Sequence, residues 1–198
     1  MTDATPSSAN GQSDTAATVL LDEAGRSLPC RIERTFELDG ETYSLLLPED
    51  TPVSLVMWEG SDEAAEAILL EADEAIDAVF ADAQAVLAEQ DLTLKRTAYT
   101  LTVAGELPEA EERDILVVEF DAEADAEEGE TEESEESEEF QVLTSFYHQG
   151  TEYAVCVPLD PLLLFAQRTP EGGWHVLSPE AFERVRPYIE DQLFDELE

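Results

Sequence analysis

Two histidines, two cysteines and one dense run of acids are the residues of this chain whose types and spacing could do chemistry. Nucleophilic catalysis needs a base beside the nucleophile, and only His148 and His175 offer an imidazole. His148 falls at the tip of an expected hairpin and His175 follows Trp174 on an expected strand. Neither neighbours a Gly-x-Ser-x-Gly elbow or a cysteine in a known local signature, so both read as structural. Cys30 and Cys156 sit in apolar, strand-like segments, which makes them buried free thiols of a reducing compartment rather than a disulfide. The chain has no Gly-x-Gly-x-x-Gly, Walker-type loop or Cys-x-x-Cys, and its 49 acids make accidental carboxylate pairs unavoidable. The expectation is therefore no catalytic residue, no cofactor and no enzyme activity.

The acidic run raises one metal pattern. Asp121, Glu123, Asp125, Glu127 and Glu132 occupy positions 1, 3, 5, 7 and 12 of a calcium-loop spacing. Position 6 is Ala126 where that loop needs glycine, and strand-like sequence precedes it where a helix belongs. The run then reads as a solvated polyanion that condenses divalent cations loosely, with no defined metal site. What it can do is attract. Asp121, Glu123, Asp125, Glu127, Glu128, Glu130, Glu132, Glu133, Glu135, Glu136, Glu138 and Glu139 put 12 acids into 19 residues with no base and no large apolar residue. Self-repulsion and the lack of anything to bury predict a disordered segment over 121–139, and these twelve carboxylates are the expected partner-binding residues.

The rest of the chain shares the bias. With 49 acids against 9 bases in 198 residues the net charge is −40, a field that repels nucleic-acid phosphates and anionic membranes before any contact forms. Hydrophobic residues still make up 43% and fall in patterned runs, so a folded core is expected. No apolar stretch reaches the ~18 residues of a membrane span. Residues 1–16 lack a basic cluster followed by an apolar run and read as a disordered tail, which places the protein in the cytoplasm. The few cations are grouped as Arg31 with Arg34, Lys95 with Arg96, and Arg184 with Arg186, as internal counter-ions of neighbouring acids.

An internal repeat supplies the elements that must position these residues. Phe36, Gly40, Tyr43, Pro48 and Asp50 recur as Phe146, Gly150, Tyr153, Pro158 and Asp160, all at an offset of 110. The spacing predicts a strand, a turn with glycine in a left-handed conformation, and a second strand that ends at proline. Short strands and a helix follow each copy. Ile76, Val79, Phe80, Ala83 and Leu87 mark one helical stripe, and Phe182, Val185, Ile189, Leu193 and Leu197 another. The second helix starts at an Ser178 N-cap followed by Pro179, and Pro187 should kink or divide it. The fold class that follows is α+β, with two related units at 17–91 and 92–198, each a small antiparallel sheet covered by one helix. The acidic run is an insertion at a hairpin tip of the second unit, between arms at 115–120 and 140–147. An extra strand is expected over 92–103, assigned to neither copy.

These motifs resemble a known family. The span 19–89, with its Asp-Glu-x-Gly turn, Phe-x3-Gly-x2-Tyr-x4-Pro hairpin and acidic helix, is similar to the small acidic YrzB-like proteins of bacteria. The whole span 17–198 resembles cyanobacterial and plastid proteins in which such a domain precedes a second domain of unknown function. The resemblance implies a photosynthetic lineage and a soluble cytoplasmic or stromal protein, and it carries no catalytic residues over to this chain.

The function expected from the residues is a non-enzymatic interaction or assembly factor that recruits a basic protein surface, without direct nucleic-acid contact or membrane insertion. Two other readings stand beside it. The polyanion could mimic nucleic acid as a regulator, or the acidity could be a salt adaptation around an unidentified ligand pocket or activity.

Overall fold

Apolar residues at period two carry most of this chain into antiparallel strands. The structure, a computed structural model, describes residues 17–60, 66–120 and 136–195. The expected tail at 1–16 and most of the expected acidic segment lie outside the described residues. The strands are β1 (Ala17–Leu21), β2 (Ser27–Leu38), β3 (Glu41–Pro48), β4 (Thr51–Glu59), β5 (Glu66–Leu69), β6 (Thr93–Arg96), β7 (Leu101–Ala104), β8 (Ile115–Phe120), β9 (Glu136–His148), β10 (Thr151–Pro158), β11 (Leu164–Arg168) and β12 (Trp174–Val176). Helix α1 (Asp73–Ala88) follows β5, and α2 (Pro179–Asp195) follows β12. The molecule is a mixed structure of antiparallel sheets and two helices.

The sequence reading gives each half its own sheet, and the structure corrects this. One sheet runs β1-β2-β3-β11-β12 and the other β6-β7-β4-β10-β9-β8, with β5 also paired to β4. Each three-strand meander is thus completed by two strands from the opposite half. The turns give the reason. At Asp39-Gly40 and Gln149-Gly150 both residues are left-handed (φ 53° and 83°, 51° and 90°), as a tight two-residue hairpin of the favoured hand requires. Glu49 and Asp50, which join β3 to β4, carry no glycine and no positive φ, so the chain does not fold back on β3. It crosses to the other sheet.

The exchange keeps the repeat's register. Tyr43 lies opposite Gln167 and Leu46 opposite Leu164, while Tyr153 lies opposite Met57 and Cys156 opposite Ser54. Each pair in the first ladder is its counterpart in the second displaced by the offset of 110. A bulge repeats as well, skipping Glu33 in β2 and Leu143 in β9.

Both five-strand sets curl. β1 comes up beside β12 and β5 beside β8 without pairing, which leaves two open barrels. Leu20, Leu28, Cys30, Leu46, Leu164 and Ala166 fill the first interior, with Trp174 and Val176. Val56, Val118, Phe140, Ala154 and Cys156 fill the second, with Ala67 and Leu69. The helices cover outer faces. Ile76, Val79, Ala83 and Leu87 of α1 pack on Leu55, Val155 and Phe146, and Val185 and Ile189 of α2 pack on Phe36 and Tyr43.

Three local expectations change. Residues 92–103 form a hairpin, β6–β7, not one strand: Tyr99 is left-handed (φ 65°), Thr97 Oγ1 donates to the Thr100 carbonyl at 2.7 Å, and buried Ala98 closes an end of the first barrel. Strand β9 begins at Glu136, so 136–139 belong to the ladder and not to a disordered loop. Pairing with β8 satisfies their backbone groups and outweighs the local charge repulsion. Helix α2 runs through Pro187 undivided, held by the buried Val185 and Ile189 on either side, and the Ala181 amide donates to Ser178 Oγ at its start.

Candidate functional site

Among the twelve expected partner-binding acids, Asp121, Glu123, Asp125, Glu127, Glu128, Glu130, Glu132, Glu133 and Glu135 lie outside the described residues. Glu136, Glu138 and Glu139 stand on β9 opposite Phe120, Val118 and Val117. Glu138 is half-buried and Glu139 exposed. The ladder therefore fixes both ends of the acidic segment to one barrel. The calcium-loop spacing falls on residues outside the described ones, and among the described residues no group of three or more His, Cys, Asp or Glu side chains is placed to hold a metal.

The matching connection of the first half differs in kind. Five residues, 22–26, join β1 to β2, and there the Arg26 amide and Nε donate to the Asp22 carboxylate at 2.8 and 2.6 Å. Burial acts to raise the Asp22 pKa, but those hydrogen bonds and the Arg26 charge outweigh it and hold the carboxyl below its ordinary value. Arg96 extends this network, with Nη2 at 2.6 Å from Asp73 and Nε at 3.2 Å from Asp77 on α1. Arg31 pairs with Glu33, Lys95 with Asp50, Arg113 with Glu111 and Asp114, and Arg186 with Glu183. These cations serve internal carboxylates.

Burial disfavours the thiolate of both cysteines. Each faces the interior of a different barrel, where burial pushes Cys30 up to about 11, with a smaller contribution from the Glu49 charge, and Cys156 up to about 12. Both are free. At register-matched positions the other barrel holds Phe140 for Cys30 and Leu46 for Cys156, so each cysteine takes an ordinary apolar place.

His148 meets more than the sequence suggests. At the position where the first half has Leu38, its Nδ1 lies 2.7 Å from Asp82 Oδ2 on α1, and Gln149 Nε2 lies 3.0 Å from its Nε2. Its ring stands edge-on to Tyr153, which stacks on Phe146 at 5.6 Å. A base oriented by a carboxylate is half of a catalytic arrangement; the nucleophile type among the residues that line the adjoining groove is Thr151, opposite His148 on β10, whereas the ring's hydrogen bonds go to Asp82 and Gln149. His175 is exposed on β12.

That groove, about 650 Å3, lies between α1 and the tip of the β9–β10 hairpin. Met57, Val79 and Tyr153 line it with Ile68, while Ala75 and Ala78 form its α1 side and Glu71, His148 and Gln149 edge it. The sequence reading missed it. The available signal was the run Ala75, Ala78 and Asp82 on one face of α1, small residues beside the buried stripe, with Glu71 just ahead of the helix.

Comparison with known families places both halves. A family model described as a protein of unknown function, DUF3727, matches residues 91–196. The chain belongs to the DUF3727 family. A second model, also described as a protein of unknown function, DUF1292, matches residues 23–88. Neither curated proteins nor solved structures gave a match. The DUF3727 match takes in β6–β7, the acidic segment and α2, and the DUF1292 match takes in β2–β5 and α1. The groove is built from both, with Met57, Ile68 and the alanines from the DUF1292 side and His148, Thr151 and Tyr153 from the DUF3727 side. Among the described residues no helix is long and apolar enough to cross a membrane.

Proposed function

We propose that the protein is a non-enzymatic interaction or assembly factor of the cytoplasm that recruits a basic protein surface through the acidic segment carried on β8 and β9. The reading takes the first unit as YrzB-like and the source as photosynthetic, and it rests most on one contrast. The β1–β2 connection is short and its Asp22 is paired with Arg26, whereas the acidic segment 121–139, which spans the matching connection and the start of β9, holds twelve acids and no base. With nine bases against 49 acids in the whole chain, the sequence has too few cations to offset this charge. Such a polyanion accelerates encounter over about a Debye length, ~8 Å at physiological salt, and adds less to the lifetime of a complex.

The test is kinetic. A partner captured from the source lysate at low salt is titrated with the intact protein and with a variant whose twelve acids are changed to Gln or Asn. Association should slow severalfold in the variant while dissociation stays nearly constant, and added salt should slow the intact protein alike. Equal association rates would make the segment a solubility device, and turnover of a small molecule that depends on His148 or His175 would end the non-enzymatic reading.

A further inference from the structure

The two halves pack their helices against the neighbouring hairpin tip differently. In the first half Leu38 packs beneath α2, and Phe165 and Phe182 meet with ring centroids 4.6 Å apart. Aligning the buried stripes Phe182-Val185-Ile189 and Ile76-Val79-Ala83 sets Arg184 against Ala78 and Ala181 against Ala75. Arg184 is exposed, and its Nε donates to the Glu180 carbonyl at 3.4 Å. In the second half Leu38 becomes His148, drawn toward Asp82, and Arg184 becomes Ala78. His148 and Ala78, the counterparts of Leu38 and Arg184, both line the groove of the second half.

Its chemistry is specific. Met57, Val79 and Ile68 are apolar and Ala75 and Ala78 are exposed, so the groove presents apolar surface to water beside an aromatic ring. Glu71 edges one end, and Glu74 lies one turn before Ala78. Neither has a cation partner among the described residues. At the other end Asp82 already faces His148. The volume falls in the ~300–1,000 Å3 range of pockets that bind ligands.

We propose that this groove seats one apolar side chain of the basic partner, presented on an extended segment whose flanking lysine or arginine meets Glu71 and Glu74. The inference rests on the reading above and supplies what a polyanion lacks, a short-range anchor that slows dissociation. Charge complementarity selects the occupant: an acidic segment would be repelled by Glu71, Glu74 and the net charge of −40.

Two peptides serve as probes, acetyl-Gly-Lys-Lys-Phe-Lys-Lys-Gly-amide and the same sequence with Ala for Phe, titrated into the full chain while backbone amide signals are followed. The Phe peptide should bind at least about tenfold more tightly, as burial of one aromatic side chain implies, and should move the amides of Ile68, Ala75, Ala78 and Thr151. Ala78→Arg, a good helix former at an exposed position, should erase that advantage to within about twofold, while the Ala peptide still binds with a salt-sensitive affinity, weakened by the added positive charge beside Glu74. Changing the twelve acids of 121–139 to amides should weaken both peptides and preserve their ratio. A ratio below about two in the unmodified protein, or one that survives Ala78→Arg, overturns the groove while the electrostatic reading stands. Absence of salt-sensitive binding by either peptide overturns both.

Discussion

The barrel around Cys30 and the barrel around Cys156 share one register, one bulge and one pair of turns, and they differ wherever those features impose nothing. Inside, Cys30 faces a counterpart Phe140, Leu46 a counterpart Cys156, and Trp174 of β12 a counterpart Ala67 of β5. Volume is redistributed within each interior and the ladders are untouched. Outside, the divergence is larger: a five-residue connection against an acidic segment, Leu38 against His148, Arg184 against Ala78. Backbone pairing constrains a repeat tightly, so the residues free to acquire new work are those at turns and on solvent faces.

The strongest way to break the comparison is to separate the halves. Residues 17–90 alone lack β6 to β12, so β3 loses β11 and β4 loses both β7 and β10. As a monomer this piece should show no cooperative thermal transition, and it should regain one on mixing with 91–198 or by pairing with a second copy, followed by melting and by mass in solution. A folded monomeric half would mean that the exchange is not obligatory.

Interior truncations come next. Phe140→Ala should cost about 3–5 kcal/mol and Leu46→Ala about 2–5 kcal/mol in urea unfolding, whereas Cys30→Ala and Cys156→Ala at the matching sites should cost less because fewer atoms leave. Equal costs within a matched pair would show that the barrels are not filled in register.

The cysteines offer a sharper readout of the same interiors. With burial holding Cys30 at about 11 and Cys156 at about 12, little thiolate exists at mildly alkaline pH. Ellman's reagent should find no thiol in the native protein at about pH 8 and both after denaturation. Rapid labelling of one of them would mark a barrel that opens.

Smaller effects concern the two connections. Replacing residues 121–135 by the Asp-Glu-Ala-Gly-Arg sequence of 22–26 should leave the melting temperature unchanged or raised, since like-charge repulsion and loop-closure entropy both fall. A loss of several degrees would show that the segment packs on the body. The smallest change is expected for Asp22→Asn. Because the folded Asp22 pKa is depressed, its charge contributes stability above the ordinary value of 3.8 that is lost as pH falls through the folded value. The two proteins should then differ at neutral pH and converge in acid.

Much of this frame was legible in the sequence. Phe36, Gly40, Tyr43 and Pro48 mark the hairpin in both copies because a left-handed turn and a ladder stop each demand a residue type. The exchange of strands was not legible. β4 and β11 carry apolar residues that would suit β3 or β10 alike, and what decides between them is the missing turn chemistry at Glu49 and Asp50. The hairpin at 92–103 was hidden because Thr97 and Tyr99 supply its turn in place of glycine or proline. The groove was hidden for another reason: Ala75 and Ala78 read as filler on a solvent face until His148 and Tyr153 are placed beside them.

The exchange also sets a schedule for synthesis on the ribosome. β3 emerges early, and its partner β11 only on the order of a hundred residues later, which at about 5–20 residues per second is roughly ten seconds. Throughout that wait the nascent β2–β3 hairpin shows one unpaired edge, along Leu45 and Leu46 of β3, the kind of edge that joins neighbouring chains on a polysome. Acids spread through the early sequence give neighbouring nascent chains a mutual repulsion during that interval. That repulsion belongs to the sequence and is present before any strand has paired.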